Sequence, residues 1–216
     1  MAGYDPVVLT FMLGLLGLVP LAFVTTTSFM KIAIVLSLVR NALGVQQAPP
    51  NIVLYALALM MTVFIMAPVG QDIGDAIQSD PNATRSASNI VSAAKRGAEP
   101  MRKFLMANSK IDQRDFFMGQ ARRLWPAKMA SEVRQDDLLI VIPAFVVTEL
   151  TAAFEIGFLL FLPFIVIDLV ISNILMAMGM MMVSPATITL PLKLFLFVMV
   201  DGWSRLLHGL VLTYRL

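Results

Sequence analysis

The sequence contains no cysteine and only one histidine, His208. Disulfides, thiolate nucleophiles and cysteine-ligated metals are therefore excluded, and a lone histidine builds no metal cluster. The motifs of phosphate-binding loops, zinc peptidases and serine hydrolases are missing as well, since the chain has no GxxxxGK[ST], HExxH or GxSxG. We therefore expect a protein that is not an enzyme and that holds neither a metal nor a cofactor.

Charged residues are also scarce, at 14%, whereas hydrophobic residues make up 58% and the mean hydropathy is +0.82. Soluble domains average roughly 25% charged and 45–50% apolar residues, so this composition indicates an integral membrane protein. The net charge of +2 is too small to favour nucleic acid as a partner. No Lys or Arg precedes the first apolar run, Val7–Val24, which we expect to be a retained span rather than a cleaved signal peptide.

The distribution of polar residues divides the chain into three parts: 1–70, 71–137 and 138–216. The first part holds two apolar runs, Val7–Val24 and Ile52–Val69, and the second run is closed by Pro68 and Gly70. Apolar runs of this length suit membrane helices. The pattern predicts an all-α membrane-type fold of apolar helical hairpins, with long kinked helices and a small helical soluble insertion.

The middle part, 71–137, is a polar insertion with eleven of the sixteen Lys and Arg residues and nine of the fourteen Asp and Glu residues. Two amphipathic segments within it, Ile90–Leu105 and Asp115–Leu124, predict helices. A segment this short buries little apolar surface by itself. We therefore expect the insertion to pack on neighbouring parts of the protein.

The third part contains a long apolar stretch, Leu138–Pro191, that carries three carboxylates: Glu149, Glu155 and Asp168. A charge at the bilayer centre costs at least about 2.5 kcal/mol, so one side of this stretch must face protein or water. Leu138–Val170 is too long for one straight span and includes Pro143 and Pro163. It forms either one long kinked helix or a hairpin of two shorter helices.

The charges in the apolar parts admit two interpretations, a proton or ion relay and structural pairing. On a continuous helix Glu149 and Glu155 point roughly 120° apart, so no single stripe hides both easily. Outside the insertion, five basic residues face five acidic ones, which suits pairing. We favour pairing, buried or between subunits, for eight residues: Glu149, Glu155, Asp168, Lys193, Asp201, Arg205, Lys31 and Arg40.

A methionine cluster follows the carboxylates, with five methionines between Met176 and Met182. Methionine fills irregular gaps in cores, so packing is one interpretation. The other is an adaptable loop, because Gly179 interrupts the cluster and Pro185 closes it. Composition alone does not decide between them.

Two stretches resemble the FliP/SctR family of export-apparatus proteins in bacterial type III secretion systems and flagella. The first is KIAIVLSLVRNALGVQQAPPN, Lys31–Asn51, and the second runs from Pro143 to Trp203. Together they cover over a third of the chain. The short N-terminus without a cleavable signal favours the injectisome branch, SctR, over flagellar FliP.

The resemblance implies a function that composition does not reveal. Family members assemble about five copies into a ring or shallow helix. SctS-like and SctT-like subunits complete this assembly, which joins other basal-body components in the inner membrane and is partly raised toward the periplasm. Unfolded secreted proteins pass through it. A methionine-rich loop lines its constriction as a gasket, which here corresponds to Met180, Met181 and Met182.

Three hypotheses follow for the function. The first is a structural pore subunit of this export gate. The second is a proton- or ion-coupled transporter or channel with Glu149, Glu155 and Asp168 as its relay, for which inverted repeats would be expected and none is evident. The third, a membrane enzyme, lacks any supporting motif.

Overall fold

The computed structural model describes residues 6–45, 48–78 and 87–215, and every regular element within these ranges is an α-helix. The helices follow in this order: α1 (Pro6–Thr26), α2 (Phe29–Ala42), α3 (Asn51–Gln78), α4 (Ala87–Ala107), α5 (Ile111–Leu124), α6 (Ala127–Glu132), α7 (Leu138–Ala177), α8 (Ala186–Met199) and α9 (Gly202–Leu212). The predicted all-α fold is confirmed.

A run of hydroxyl side chains breaks the first apolar segment between α1 and α2, which meet at a bend of 66°. Thr26 donates a side-chain hydrogen bond to the Ala22 carbonyl at 2.7 Å, and Thr27 does the same to Phe23 at 2.7 Å. Hydroxyls bonded back to carbonyls four residues earlier favour bending of a helix. The α1–α2 break therefore follows from the local sequence TTTS.

Helix α3 continues through Pro68 and Gly70, beyond the end of the apolar run, to Gln78. The residues beyond the proline are held by tertiary packing. Val69 is buried, and Ile73 packs against the same apolar cluster. This burial stabilises the helical turn that a proline alone would weaken.

Helix α7 is a single element of 40 residues with Pro143 and Pro163 inside it, which selects the long-helix alternative over a hairpin. It packs closely on α2. A Cβ atom added to Gly157 would lie 2.3 Å from the Leu38 Cδ1 atom. Glycine at this position therefore permits the close approach of α2 and α7.

The main apolar core surrounds α2, whose residues Ile32, Val35, Leu36 and Val39 are fully buried. Helices α3, α7, α8 and α9 contribute the other buried side chains of this cluster: Leu54, Ala58, Ile65, Ala153, Phe164, Phe197 and Leu210. Helix α2 is thus the central element, and its single lysine lies inside the protein.

The described part of the insertion shares its core with the apolar helices. Phe104 and Leu105 of α4 form one cluster with Val69 of α3 and with Val141 and Phe145 of α7. Residues 79–86 of the insertion lie outside the described ranges. The insertion is therefore anchored by apolar contacts with α3 and α7.

An ion-pair cluster also fixes α4 to the segment before α7. The Arg102 guanidinium contacts Glu99 at 2.6 Å and Asp136 at 2.5 Å. Partial burial by itself would raise the pKa of Asp136, but backbone hydrogen bonding and the cations Arg134 and Arg102 lower it below its usual value.

Two of the described helices, α3 and α7, are long and apolar enough to cross a membrane, and the bent pairs α1–α2 and α8–α9 raise this number to four if each pair is one span. Large apolar side chains cover the outer face of α7: Phe154, Phe158, Leu159, Leu162, Ile165, Val166, Leu169 and Val170. Exposed apolar surface on this scale indicates contact with lipid or with other subunits. The chain is a membrane protein.

Candidate functional site

Helix α7 is followed by Gly179, whose backbone adopts the left-handed conformation and begins the turn that carries Met180, Met181 and Met182. Gly179 has a φ of 74°, a conformation that costs other L-residues about 1–2 kcal/mol. The Met180 amide donates to the Leu175 carbonyl at 2.9 Å, and the Gly179 amide donates to the Met176 carbonyl at 3.0 Å. This hydrogen-bond pattern is the Schellman motif, in which glycine stops a helix while satisfying its last carbonyls.

The methionine turn, residues 179–184, presents its side chains away from the rest of the chain. Met180 is 38% exposed, Met181 is 84% exposed and Met182 is fully exposed at 102%. Pro185 follows, and α8 begins at Ala186. Packing within the single chain therefore does not account for Met181 and Met182, whose side chains are free to contact something else.

The conformation of this turn should depend on Gly179. We expect Gly179→Ala to destabilise the turn by about 1 kcal/mol, because alanine disfavours a positive φ. Hydrogen exchange at the Met180 amide should become about fivefold faster. Gly119→Ala, in the open middle of α5, is the control and should leave this exchange rate unchanged. Equal rates in wild type and Gly179→Ala would contradict the role of the glycine.

Lys31 and Glu149 form an ion pair in the interior, between α2 and α7. The Lys31 Nζ and Glu149 Oε1 atoms are 3.0 Å apart, and the two side chains are only 4% and 3% exposed. The other carboxylate oxygen accepts a hydrogen bond from the Tyr214 hydroxyl. Lys31 Nζ also lies 3.8 Å from the centre of the Tyr214 ring, in a cation–π arrangement. Both charges are therefore compensated within one chain.

A second pair joins α7 to α8 near the methionine turn. Lys193 Nζ lies 2.6 Å from Asp168 Oδ2 and 3.4 Å from the carbonyl of Ala42, the last residue of α2. The lysine side chain is 7% exposed, whereas that of the aspartate is 47% exposed. Asp168 and Lys193 line a cavity of about 560 Å³ between α2, α7 and α8. This pair links three helices at the end of the molecule that carries the turn.

The remaining predicted charges are less buried. Arg40 donates to the Pro49 carbonyl at 3.3 Å and to Asn51 at 2.5 Å. Glu155 is 62% exposed and contacts Lys110 only at 4.0 Å, and so it is not a buried charge within the single chain. Asp201 and Arg205 are exposed and form no ion pair with any described residue. Pairing of Glu155, Asp201 and Arg205 with other subunits stays a prediction.

The three carboxylates of the apolar stretch do not converge on one another. Glu149 contacts Lys31, Glu155 contacts Lys110 and Asp168 contacts Lys193. Within the described ranges, no group of three or more His, Cys, Asp or Glu residues could hold a metal ion. The arrangement therefore suits structural pairing of charges between helices.

Tyr214 belongs to this site, but the sequence analysis did not identify it. It lies 65 positions from Glu149 in the chain, and no motif or spacing links the two residues. The only signal was the residue type, since a tyrosine in an apolar setting usually finds a partner for its hydroxyl.

Comparison of the sequence with known proteins identifies its family. The FliP family profile matches residues 12–210. The chain is 51% identical to Yop proteins translocation protein R of Yersinia pestis over 210 residues, which are 97% of each chain. It is 46% identical to the harpin secretion protein HrcR of Erwinia amylovora, over 98% of this chain and 97% of that protein. It is also 46% identical to virulence protein YscR of Salmonella typhimurium, over 97% of each chain. The chain therefore belongs to the FliP family of type III secretion export proteins, on its SctR branch.

Proposed function

We propose that this chain is a structural, pore-forming subunit of a type III secretion export gate. In this function it carries out no catalysis. About five copies, completed by SctS-like and SctT-like subunits, form a channel that passes unfolded proteins across the bacterial inner membrane. The assembly joins the basal body and stands partly above the bilayer on the periplasmic side. Met180, Met181 and Met182 of each copy form the constriction.

The observation that carries this proposal is the exposed methionine turn at the end of a 40-residue apolar helix. Full exposure of the apolar Met182 side chain does not stabilise a monomer. In a ring of copies, the methionine turns of all the copies would lie next to one another around the ring axis. Unbranched thioether chains with three rotatable bonds pack against one another there and adjust to a passing polypeptide.

The exposed apolar and charged faces support assembly with other subunits. Large apolar side chains cover the outer surfaces of α3, α7 and α8. Asp201, which precedes α9, and Arg205 of α9 are exposed without an ion-pair partner among the described residues, and a neighbouring subunit would supply opposite charges. The ion-coupled transporter is disfavoured because each carboxylate of the stretch has a separate lysine contact.

The mass of the purified native complex tests this proposal. We expect the chain to be weakly associated when it is produced alone and stable when it is produced with its partners, because exposed apolar surface and unpaired charge would be covered only then. The complex should contain about five copies together with two kinds of small membrane subunit. A stable detergent-solubilised monomer with native helicity, or a dimer that conducts protons, would contradict it.

A further inference from the structure

Residues 213–215, which follow α9, contact three other parts of the fold. The ring of Tyr214 stacks on Phe104 of α4, with centres 6.1 Å apart and planes 19° apart. Its hydroxyl hydrogen-bonds Glu149 of α7 and lies 3.2 Å from the carbonyl of Ser28, in the α1–α2 break. One side chain thus connects the insertion, the buried ion pair and the bend.

Asn108, which follows α4 in the insertion, holds the backbone next to this tyrosine. Its Nδ2 atom donates to the Arg215 carbonyl at 2.8 Å, and the Arg215 amide donates back to its Oδ1 atom at 2.9 Å. This pair of bonds joins residues 107 positions apart in the chain. The position of Tyr214 therefore depends on where the insertion lies as well as on α9.

The contact with Glu149 matters because it satisfies the carboxylate oxygen that Lys31 does not contact. A tyrosine hydroxyl has one proton to donate, and among the described residues Tyr214 is the hydrogen-bond partner of Glu149 Oε2. The hydroxyl of Ser28, beside it, is buried and has no hydrogen-bond partner among the described residues. Loss of the tyrosine hydroxyl would therefore leave a buried carboxylate oxygen unsatisfied in addition to the Ser28 hydroxyl.

We propose that residues 213–215 act as a clamp in which Tyr214 is the positioning residue. Through Asn108 and Tyr214, docking of the insertion on α7 completes the Lys31–Glu149 pair and stabilises the α1–α2 break. The insertion and the bend of the first apolar segment are thereby coupled, although they belong to distant parts of the sequence. The coupling does not depend on the pore function proposed above.

Hydrogen exchange on the complete complex tests the clamp. Tyr214→Phe removes the hydroxyl but keeps the ring on Phe104 and Lys31. We expect amide exchange in residues 28–32 and 213–215 to become about ten- to a hundredfold faster, because a hydrogen bond to a charged group is lost. Tyr55→Phe is the matched control, since Tyr55 is 47% exposed and its hydroxyl bonds no described residue; it should change neither region.

Asn108→Ala provides the second, independent variant, because the side-chain hydrogen bonds of Asn108 go to Phe104 and Arg215 and not to Glu149 or Ser28. It should also accelerate exchange in residues 28–32, by about three- to tenfold, through the displaced tyrosine. The coupling would be overturned if Tyr214→Phe left residues 28–32 unchanged. It would equally be overturned if Asn108→Ala altered only residues 108–110 and 213–215, since the contacts would then be local anchors.

Discussion

Replacement of Glu149 with alanine should nearly abolish the assembled complex in membranes. The substitution leaves the ammonium of Lys31 buried, 4% exposed, without its carboxylate partner. Breaking a buried pair in this way destabilises a protein by about 3–5 kcal/mol. A loss of this size is a large fraction of the stability of most domains. The amount of complex recovered from membranes, measured against wild type, is the readout.

Glu132→Ala, on α6, is the control for this experiment, because it removes an exposed carboxylate outside the eight residues predicted to pair. Its removal should change stability by less than about 1 kcal/mol. A double variant, Lys31→Met with Glu149→Leu, should recover part of the assembly because no unpaired charge remains. Normal assembly of Glu149→Ala combined with lost proton coupling would contradict the structural role and favour an ion relay.

The sequence predicted the kind of fold, and it offered a loop at the methionines as one of two alternatives, because both depend on local chemistry. Hydropathy marked the apolar helices, and Gly179 with Pro185 suited a loop without excluding a packed segment. The turn at Gly179 needs only a residue that tolerates a positive φ and the carbonyls of the preceding helical turn. Such features involve neighbours in the chain, so they can be predicted without knowledge of tertiary contacts.

The charge pairs could be anticipated as a class but not assigned. Lys31 and Glu149 are 118 positions apart, and only the packing of α2 on α7 brings them together. The continuation of α3 beyond Pro68 has a related cause, because contacts of Val69 and Ile73 stabilise the helix there. Tyr214 was missed since its role depends on three elements meeting at one hydroxyl. Interactions set by tertiary packing leave little trace in local sequence.

The second large effect, a leak of small ions, is expected when the methionines of the turn are replaced. Replacing Met180, Met181 and Met182 together with alanine leaves the Gly179 turn and the Lys31–Glu149 and Lys193–Asp168 pairs in place, so assembly should be normal. The shorter side chains would widen the constriction and remove apolar surface that excludes a continuous water column. Secretion should survive, because a wider gap still admits an unfolded chain, whereas the resting gate should leak small ions.

The matched control replaces three exposed methionines elsewhere with alanine: Met60 on α3, Met129 on α6 and Met199 on α8. These side chains are similarly exposed, at 68%, 50% and 67%, but lie outside the turn. Both triple variants lose the same number of thioether groups. A difference between them therefore reports the position of the methionines and not a general loss of apolar surface.

Ion conductance of the resting, assembled complex tests the central claim of a methionine-sealed pore most directly. Wild type and the control triple variant should hold back small ions, whereas Met180→Ala, Met181→Ala and Met182→Ala combined should conduct them continuously. Wild-type conductance in a normally assembled variant of the turn would contradict the claim, because these methionines would then be packing residues and the seal would lie elsewhere.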